Sequence, residues 1–369
     1  MARTALTSLH LSLFRSHAQL HLELSGAPVA LFGANGAGKT NILEALSMLS
    51  PGRGLRRAAP EDLAKRPDGQ GWRVAATLTG RGDLHELETR MEPGQRRTVG
   101  IDGKSAAQIA LGRLLRQVWL VPVMDRLWVD GASERRRFLD RVALSFEPSH
   151  GEVVLAYEKA MRDRNRLLKD QVTDVAWYGA LEAQMAASGA RLAANRLDAV
   201  TRLIPAQPGG LFPVADLSIV PGEDTPEDLD EESLRLALAE SRRRDLAAGR
   251  SLVGPHRADL QALYRAKGIE ARFCSTGEQK ALLVSLILAN ASALSQDLGA
   301  PPILLLDEVG AHLDADRRAA LFEAICALGA QAFMTGTGAE LFQALGQRAE
   351  WFEITESGGT SQVERVEPS

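Results

Sequence analysis

Gly33-Ala34-Asn35-Gly36-Ala37-Gly38-Lys39-Thr40 fits G-x-x-x-x-G-K-[ST] at every fixed position, and that spacing narrows what the surrounding chain can become. Glycines this dense call for a tight turn whose backbone N–H groups point inward. The flanks agree with it. Pro28-Val29-Ala30-Leu31-Phe32 predicts a short buried strand, and Asn41 to Leu49 predicts a helix with Ile42, Ala45, Leu46 and Leu49 on one face. A strand, a glycine-rich turn and a helix N-terminus in that order make a cradle for phosphate, because the amides and the positive end of the helix face the anion. In such a loop Lys39 reaches the β- and γ-phosphates and the Thr40 hydroxyl holds Mg2+.

A second stretch supplies the acids this chemistry needs. Ile303-Leu304-Leu305-Leu306-Asp307-Glu308 predicts a buried parallel strand ending in two carboxylates. In an open α/β sheet the C-terminal ends of the strands border the phosphate loop. Asp307 is then the metal partner of Thr40, and Glu308 the group that orients or deprotonates an attacking water. Ser275-Thr276-Gly277-Glu278 opens a strongly apolar helix. Its Ser-x-x-Glu spacing is a capping box, and the same geometry makes the helix start an anion site; the two readings are compatible.

Composition limits the class. Net charge is −4, so nucleic-acid binding would rest on a local basic patch and depend strongly on salt. The N-terminus carries no signal-peptide core, and the apolar stretch from Ala281 to Leu294 is too short and interrupted for a bilayer span. Cys274 and Cys326 form no C-x-x-C pair, which speaks for a reducing cytoplasm and against a zinc site or disulfide framework.

The rest of the chain suggests how the parts are ordered. Residues 6–24 predict a hairpin turning near Arg15, which is either beside the nucleotide or part of a plain ribbon. Residues 72–103 predict an antiparallel side sheet, and Val118 to Val121 another short strand. Ser50 to Arg57 is a loop with Arg53, Arg56 and Arg57, suited to a phosphate, a partner or plain solvent. From Gly131 the pattern turns helical: one helix starts at Ser133, a second covers 151–170 and a third 175–203. Their arginine runs predict solvated faces. A break at Pro205 precedes a strand from Ala215 to Val220, an acidic loop over 223–232, and a helix from Ser233 to Ala248. Val253-Gly254-Pro255-His256-Arg257 is either a satisfied turn or a relay of nucleotide state.

Taken together, the phosphate loop continuing into Asn41, the Ser-x-Gly-Glu segment, Asp307-Glu308 and Leu313-Asp314 resemble the ABC-type ATPases of the structural-maintenance-of-chromosomes kind. Glu134-Arg135-Arg136-Arg137-Phe138-Leu139-Asp140 and Leu252-Val253-Gly254-Pro255-His256-Arg257 narrow the resemblance to the short-armed RecF family over essentially the whole chain. The fold this implies is an α/β, ABC-type P-loop ATPase head with a mixed sheet, built from residues 1–130 and 250–369, with a helical arm inserted at 131–249. The implied activity is weak, switch-like ATP hydrolysis with Mg2+ in the cytoplasm. Two copies would sandwich two ATP molecules, joining Gly33–Asn41, Arg15 and Asp307-Glu308 of one chain to Ser275, Thr276, Gly277, Glu278 and Asp314 of the other. Gln117 is the candidate for the remaining metal-site polar group, and Thr335 or Thr337 for the γ-phosphate contact. Family partners are gapped DNA, RecR, RecO and, indirectly, RecA. Two other classes stay open, a chromosome-structuring clamp without a repair role and a transporter nucleotide-binding subunit.

Overall fold

The protein is described by a computed structural model covering residues 4–368 apart from 68, 81, 311 and 312. In chain order its strands and helices begin with β1 (Ala5–Phe14), β2 (His17–Glu23), β3 (Val29–Phe32), α1 (Lys39–Ser47), β4 (Trp72–Gly80), β5 (Asp83–Met91), β6 (Thr98–Ile101), β7 (Lys104–Ala106), α2 (Gln108–Leu114) and β8 (Gln117–Leu120). Next come α3 (Ala132–Phe146), α4 (His150–Lys169), α5 (Val175–Ala206), β9 (Ala215–Val220), α6 (Glu231–Ala248), β10 (Asp259–Tyr264) and β11 (Ile269–Glu270). The chain ends with α7 (Thr276–Leu298), β12 (Ile303–Leu306), α8 (Ala315–Leu328), β13 (Ala332–Gly336), β14 (Glu350–Ser357) and β15 (Thr360–Val366).

Two compact units form. The first holds residues 1–125, 206–214 and 275–369. Its central sheet has the order β15-β14-β3-β13-β12-β8, parallel except for the β14–β15 hairpin. β3 and β12 are buried on both faces, as unbroken aliphatic runs such as Ile303–Leu306 require. A second, antiparallel sheet has the order β2-β1-β4-β5-β6-β7. A register shift between Leu6 and Ser8 lets Leu6 and Leu9 both face the core despite their odd spacing. α1 packs against β12 and β13 of the central sheet and β1 of the other, so even Glu44 and Ser47 on it are buried.

α7 runs from Thr276, well before the apolar core of its sequence. Among the described residues it is the one helix long and apolar enough, by length and composition, to cross a membrane. Its most apolar window is 78% buried inside the unit, as a core helix is.

The second unit holds residues 126–205 and 215–274. The insert expected from the sequence covers 131–249. The unit runs on to Cys274 because β10 pairs along its length with β9, from Asp259 opposite Val220 to Tyr264 opposite Ala215. The inserted unit is therefore helices α3–α6 plus a small three-stranded sheet. Arg137, Arg162 and Arg166 are solvated as expected, but other arginines of the unit turn inward. Arg135 forks onto Asp259 at 2.7 and 2.9 Å, and Arg196 onto Asp140 at the same distances. Arg164, fully buried, pairs with Asp245 at 2.7 Å and Glu182 at 3.1 Å. The Val253–Arg257 segment is a tied-down turn: Tyr157 donates to His256 Nδ1 at 2.7 Å, His256 Nε2 meets Ser251 O at 3.1 Å, and Arg196 donates to Pro255 O at 2.7 Å.

Candidate nucleotide site

The loop between β3 and α1 has the conformation its sequence demands. Gly33 sits at φ 150, and a Cβ there would collide with the Ile354 carbonyl of β14. Gly38 is the left-handed N-cap of α1 at φ 106, and a Cβ there would strike the hydroxyls of Ser16 and Ser361. With no side chain capping it, the first turn of α1 leaves its amides for a ligand. Lys39 is buried, and its ammonium donates to Gly33 O at 2.7 Å and Ala34 O at 2.8 Å. Burial holds its pKa below the usual lysine value, opposed by the charges of Glu308 and Asp307.

The far half of the site arrives on neighbouring strands. β13 lies between β3 and β12, so the ends of all three strands come together. Thr40 donates to Asp307 Oδ1 at 2.9 Å, Thr335 donates to the same oxygen at 2.7 Å, and the Glu308 amide donates to Thr335 Oγ1 at 2.8 Å. Glu308 itself is held at φ 48, uncommon for a residue with a side chain. Asp307 is thus a buried carboxylate whose hydrogen-bond partners are neutral hydroxyls. Hard oxygens of Thr40 and Asp307 at 2.9 Å have the spacing of neighbouring ligands on an octahedral ion with bonds of about 2.1 Å. Among the described residues no group of three or more His, Cys, Asp or Glu could hold a metal. The donor set therefore suits Mg2+ completed by phosphate and water better than an all-protein cage.

Other expectations change. Gln117 does not reach the metal site. It pairs with Ile303 at the start of β12, while the acids follow Leu306, which pairs with Leu120. Three residues of strand, about 10 Å, separate the two edges. The Gln117 amide instead donates to Leu46 O at 2.8 Å, near the C-terminal end of α1. Thr335 is fully buried and engaged with Asp307 and Glu308, so it clamps the acids rather than facing a phosphate; Thr337 is the exposed one. The polar group beyond β8 is Asp125, which receives the buried Lys280 of α7 at 3.1 Å. Nothing in the local sequence marked that pair, since it joins residues far apart in the chain.

Arg15 lies beside α1, with its fork on Glu44 at 2.8 and 2.9 Å and a third bond to Asp62 O at 2.7 Å. With Ser16, Asn41, Asp62 and Arg66 it lines a cavity of about 480 Å3 next to the start of α1. Asn41 donates to Ser16 Oγ at 2.7 Å, and Arg56 donates to Asn41 Oδ1 at 3.1 Å.

Ser275 caps α7 in the expected reciprocal box: its amide meets Glu278 Oε2 at 3.0 Å, and the Glu278 amide meets Ser275 Oγ at 3.4 Å. Ser275 and Thr276 are exposed. Lys280 ties this end of α7 to the C-terminal edge of β8, three strand positions from β3. The Ser275 hydroxyl and amide are both engaged by Glu278 within this helix start. Asp314 caps α8 by accepting from the Arg317 amide at 2.8 Å, and it too is exposed.

The RecF/RecN/SMC N-terminal domain model matches residues 5–360. The DNA replication and repair protein RecF of Rhizobium etli is 45% identical over 371 residues, covering 96% of this chain and 98% of that protein. Its namesake from Mesorhizobium japonicum is 46% identical over 367 residues, covering 96% and 97%. Among solved structures, the recombination mediator RecF with ATPrS in the RecFOR pathway superposes with a TM-score of 0.83 at 22% identity, covering 99% of this chain and 98% of that one. An Smc head from Pyrococcus furiosus bound to the C-terminal domain of ScpA gives 0.55 at 18% identity, covering 99% and 96%.

Proposed function

The chain belongs to the RecF family of DNA replication and repair proteins, and from that footing we propose that it is an ATP-dependent DNA-binding protein of recombinational repair. The observation that supports the reading is the gathering of Lys39, Thr40, Asp307 and Glu308 at one end of the sheet, together with exposed Ser275 and Thr276 at the start of another helix. A single copy leaves the helix-start donors of α7 away from its own phosphate loop; a second copy facing it brings them across. ATP is then held between two copies, with Asp314 at the junction.

In this dimer the loop amides from Gly33 to Thr40 and Lys39 bind the phosphates, and Asn41, Ser16 and Arg15 wall the nucleoside side. Thr40 and Asp307 would hold Mg2+, which neutralises charge on the phosphate oxygens. Glu308 orients the attacking water and takes its proton, while Thr335 keeps both acids in register. Turnover is slow and resets the dimer. The DNA is gapped, the partners are RecR and RecO with RecA loading downstream, and the setting is the cytoplasm.

Sedimentation with ATP tests the switch. Wild type should dimerise and Glu308→Gln should accumulate the dimer, whereas Ser275→Arg should keep ATP binding and lose dimerisation. Monomers for both wild type and Glu308→Gln would defeat the sandwich. A deletion strain sensitive to ultraviolet light, with normal chromosome segregation, separates repair from chromosome structuring.

A further inference from the structure

Arg97 stands just before β6, outside every residue assigned above, yet it is the most heavily bonded side chain near α1. Its Nε donates to Thr89 Oγ1 at 2.8 Å. One terminal nitrogen donates to Gly52 O at 2.5 Å and Gln108 Oε1 at 3.4 Å; the other donates to Ser50 O at 3.2 Å and to Met48 O. The three carbonyls belong to the segment leaving α1, whose C-cap is Met48. A guanidinium is favoured there, since the negative end of the helix dipole and the unpaired carbonyls coincide. Burial pulls the Arg97 pKa down to about 10, which leaves it a cation at neutral pH.

The same segment is anchored again further on. The Leu55 amide donates to Ser47 Oγ at 2.8 Å, and Leu55 is buried. Gly54, at φ 68, passes so close to Met48 that a Cβ would sit 2.7 Å from its sulfur. Between and beyond these anchors the loop delivers Arg56, whose guanidinium lies 3.1 Å from Asn41 Oδ1 and 3.5 Å from Glu44 Oε2. Asn41 follows Thr40 directly and lines the cavity beside the phosphate loop.

We infer that Arg97 is a positioning residue for the nucleotide site: it fixes the Ser50–Arg57 loop at the C-terminal end of α1 so that Arg56 is held against Glu44 and over Asn41 in the first turn. No other side chain matches its fork. An ammonium carries its donors on one atom and cannot span carbonyls and a hydroxyl on three sides. The inference rests on the ATP reading above.

Binding of a fluorescent ATP analogue to the full chain tests it. Arg97→Ala should weaken binding about tenfold, and Arg56→Ala by a similar factor. Because one acts through the other, the double variant should lose no more than Arg56→Ala alone; multiplied losses overturn the inference. Millimolar guanidinium should restore binding in Arg97→Ala and leave Arg56→Ala/Arg97→Ala unchanged, and absence of rescue counts against a positional role. If Arg97→Ala fails to fold, judged by circular dichroism, Arg97→Lys takes its place in the same cycle with Arg56→Ala. Wild type that binds no ATP defeats the nucleotide reading; wild type that binds, with Arg97→Ala unchanged, defeats this inference alone.

Discussion

The phosphate loop of the first unit and the helical core of the second treat buried charge in opposite ways. At the first, unlike charges have neutral partners: Lys39 rests on two carbonyls of its own loop, and Asp307 on the hydroxyls of Thr40 and Thr335. In the second, they neutralise one another directly, with Arg164 on Glu182 and Asp245 and Arg242 on Glu182 as well. Neutral hydrogen bonds leave a charged ligand and a cation something to gain on arrival. A closed ion pair leaves them nothing. The first pattern suits a binding site and the second a scaffold, so mutations in the two should separate affinity from stability.

The largest expected effect is on the scaffold. Arg164→Met strands the buried carboxylate of Asp245, leaves Glu182 to Arg242 alone, and should cost about 3 to 5 kcal/mol in urea unfolding. Replacing Arg164, Glu182 and Asp245 together with apolar residues of similar volume should recover much of that loss. If Arg164→Met is harmless while the triple variant is not, the network is no scaffold of this kind.

Lys39→Met makes the converse case. It removes a buried ammonium whose partners are two carbonyls, so affinity for ATP should fall by at least about a hundredfold, near 2.7 kcal/mol. Thermal unfolding without nucleotide should move little. A large loss of stability, matching the loss of affinity, would erase the contrast between the units.

The smallest expected effect is a pH slope. Burial, with help from Arg257 and Arg136, holds His256 down to about 4, against the Ser251 carbonyl and Asp245, which favour its charge. The unfolded chain takes that proton near pH 6.5 and the folded one only near 4. Stability is therefore intact above that window and falls as the pH drops through it, by at most about 1.4 kcal/mol for each pH unit. His256→Gln should flatten this part of the curve in urea unfolding. An unchanged slope would place the titration elsewhere.

Much of the site was legible because its signals are local. The phosphate loop, the capping box of Ser275 and the acids after Ile303–Leu306 each depend on neighbours a few residues away, and each takes the predicted form. Gln117 was misplaced because four buried residues identify a strand without saying which of its ends meets the ligand. Arg164 was read into a solvated face, although the spacing of Val153, Tyr157, Ala160, Arg164 and Leu167 already put it on the buried stripe of α4. Some helices start a residue or two before the expected position: α6 begins at Glu231, not Ser233, because Asp230 caps it by accepting from the Ser233 amide.

The sequence by itself determined the elements and the chemistry of the phosphate loop, since a glycine turn, a helix start and a Lys-Thr pair need only contiguous residues. Tertiary structure decided the rest. Strand order placed Asp307 within 2.9 Å of Thr40 and sent Gln117 to the opposite edge. Packing of α1 against both sheets made its two ends answerable to Arg97, Gln117, Arg15 and Ser361, residues drawn from across the chain. The reason is physical: hydrogen bonds within a turn are set by neighbouring dihedrals, whereas a contact between distant residues exists only once burial has fixed which surfaces meet.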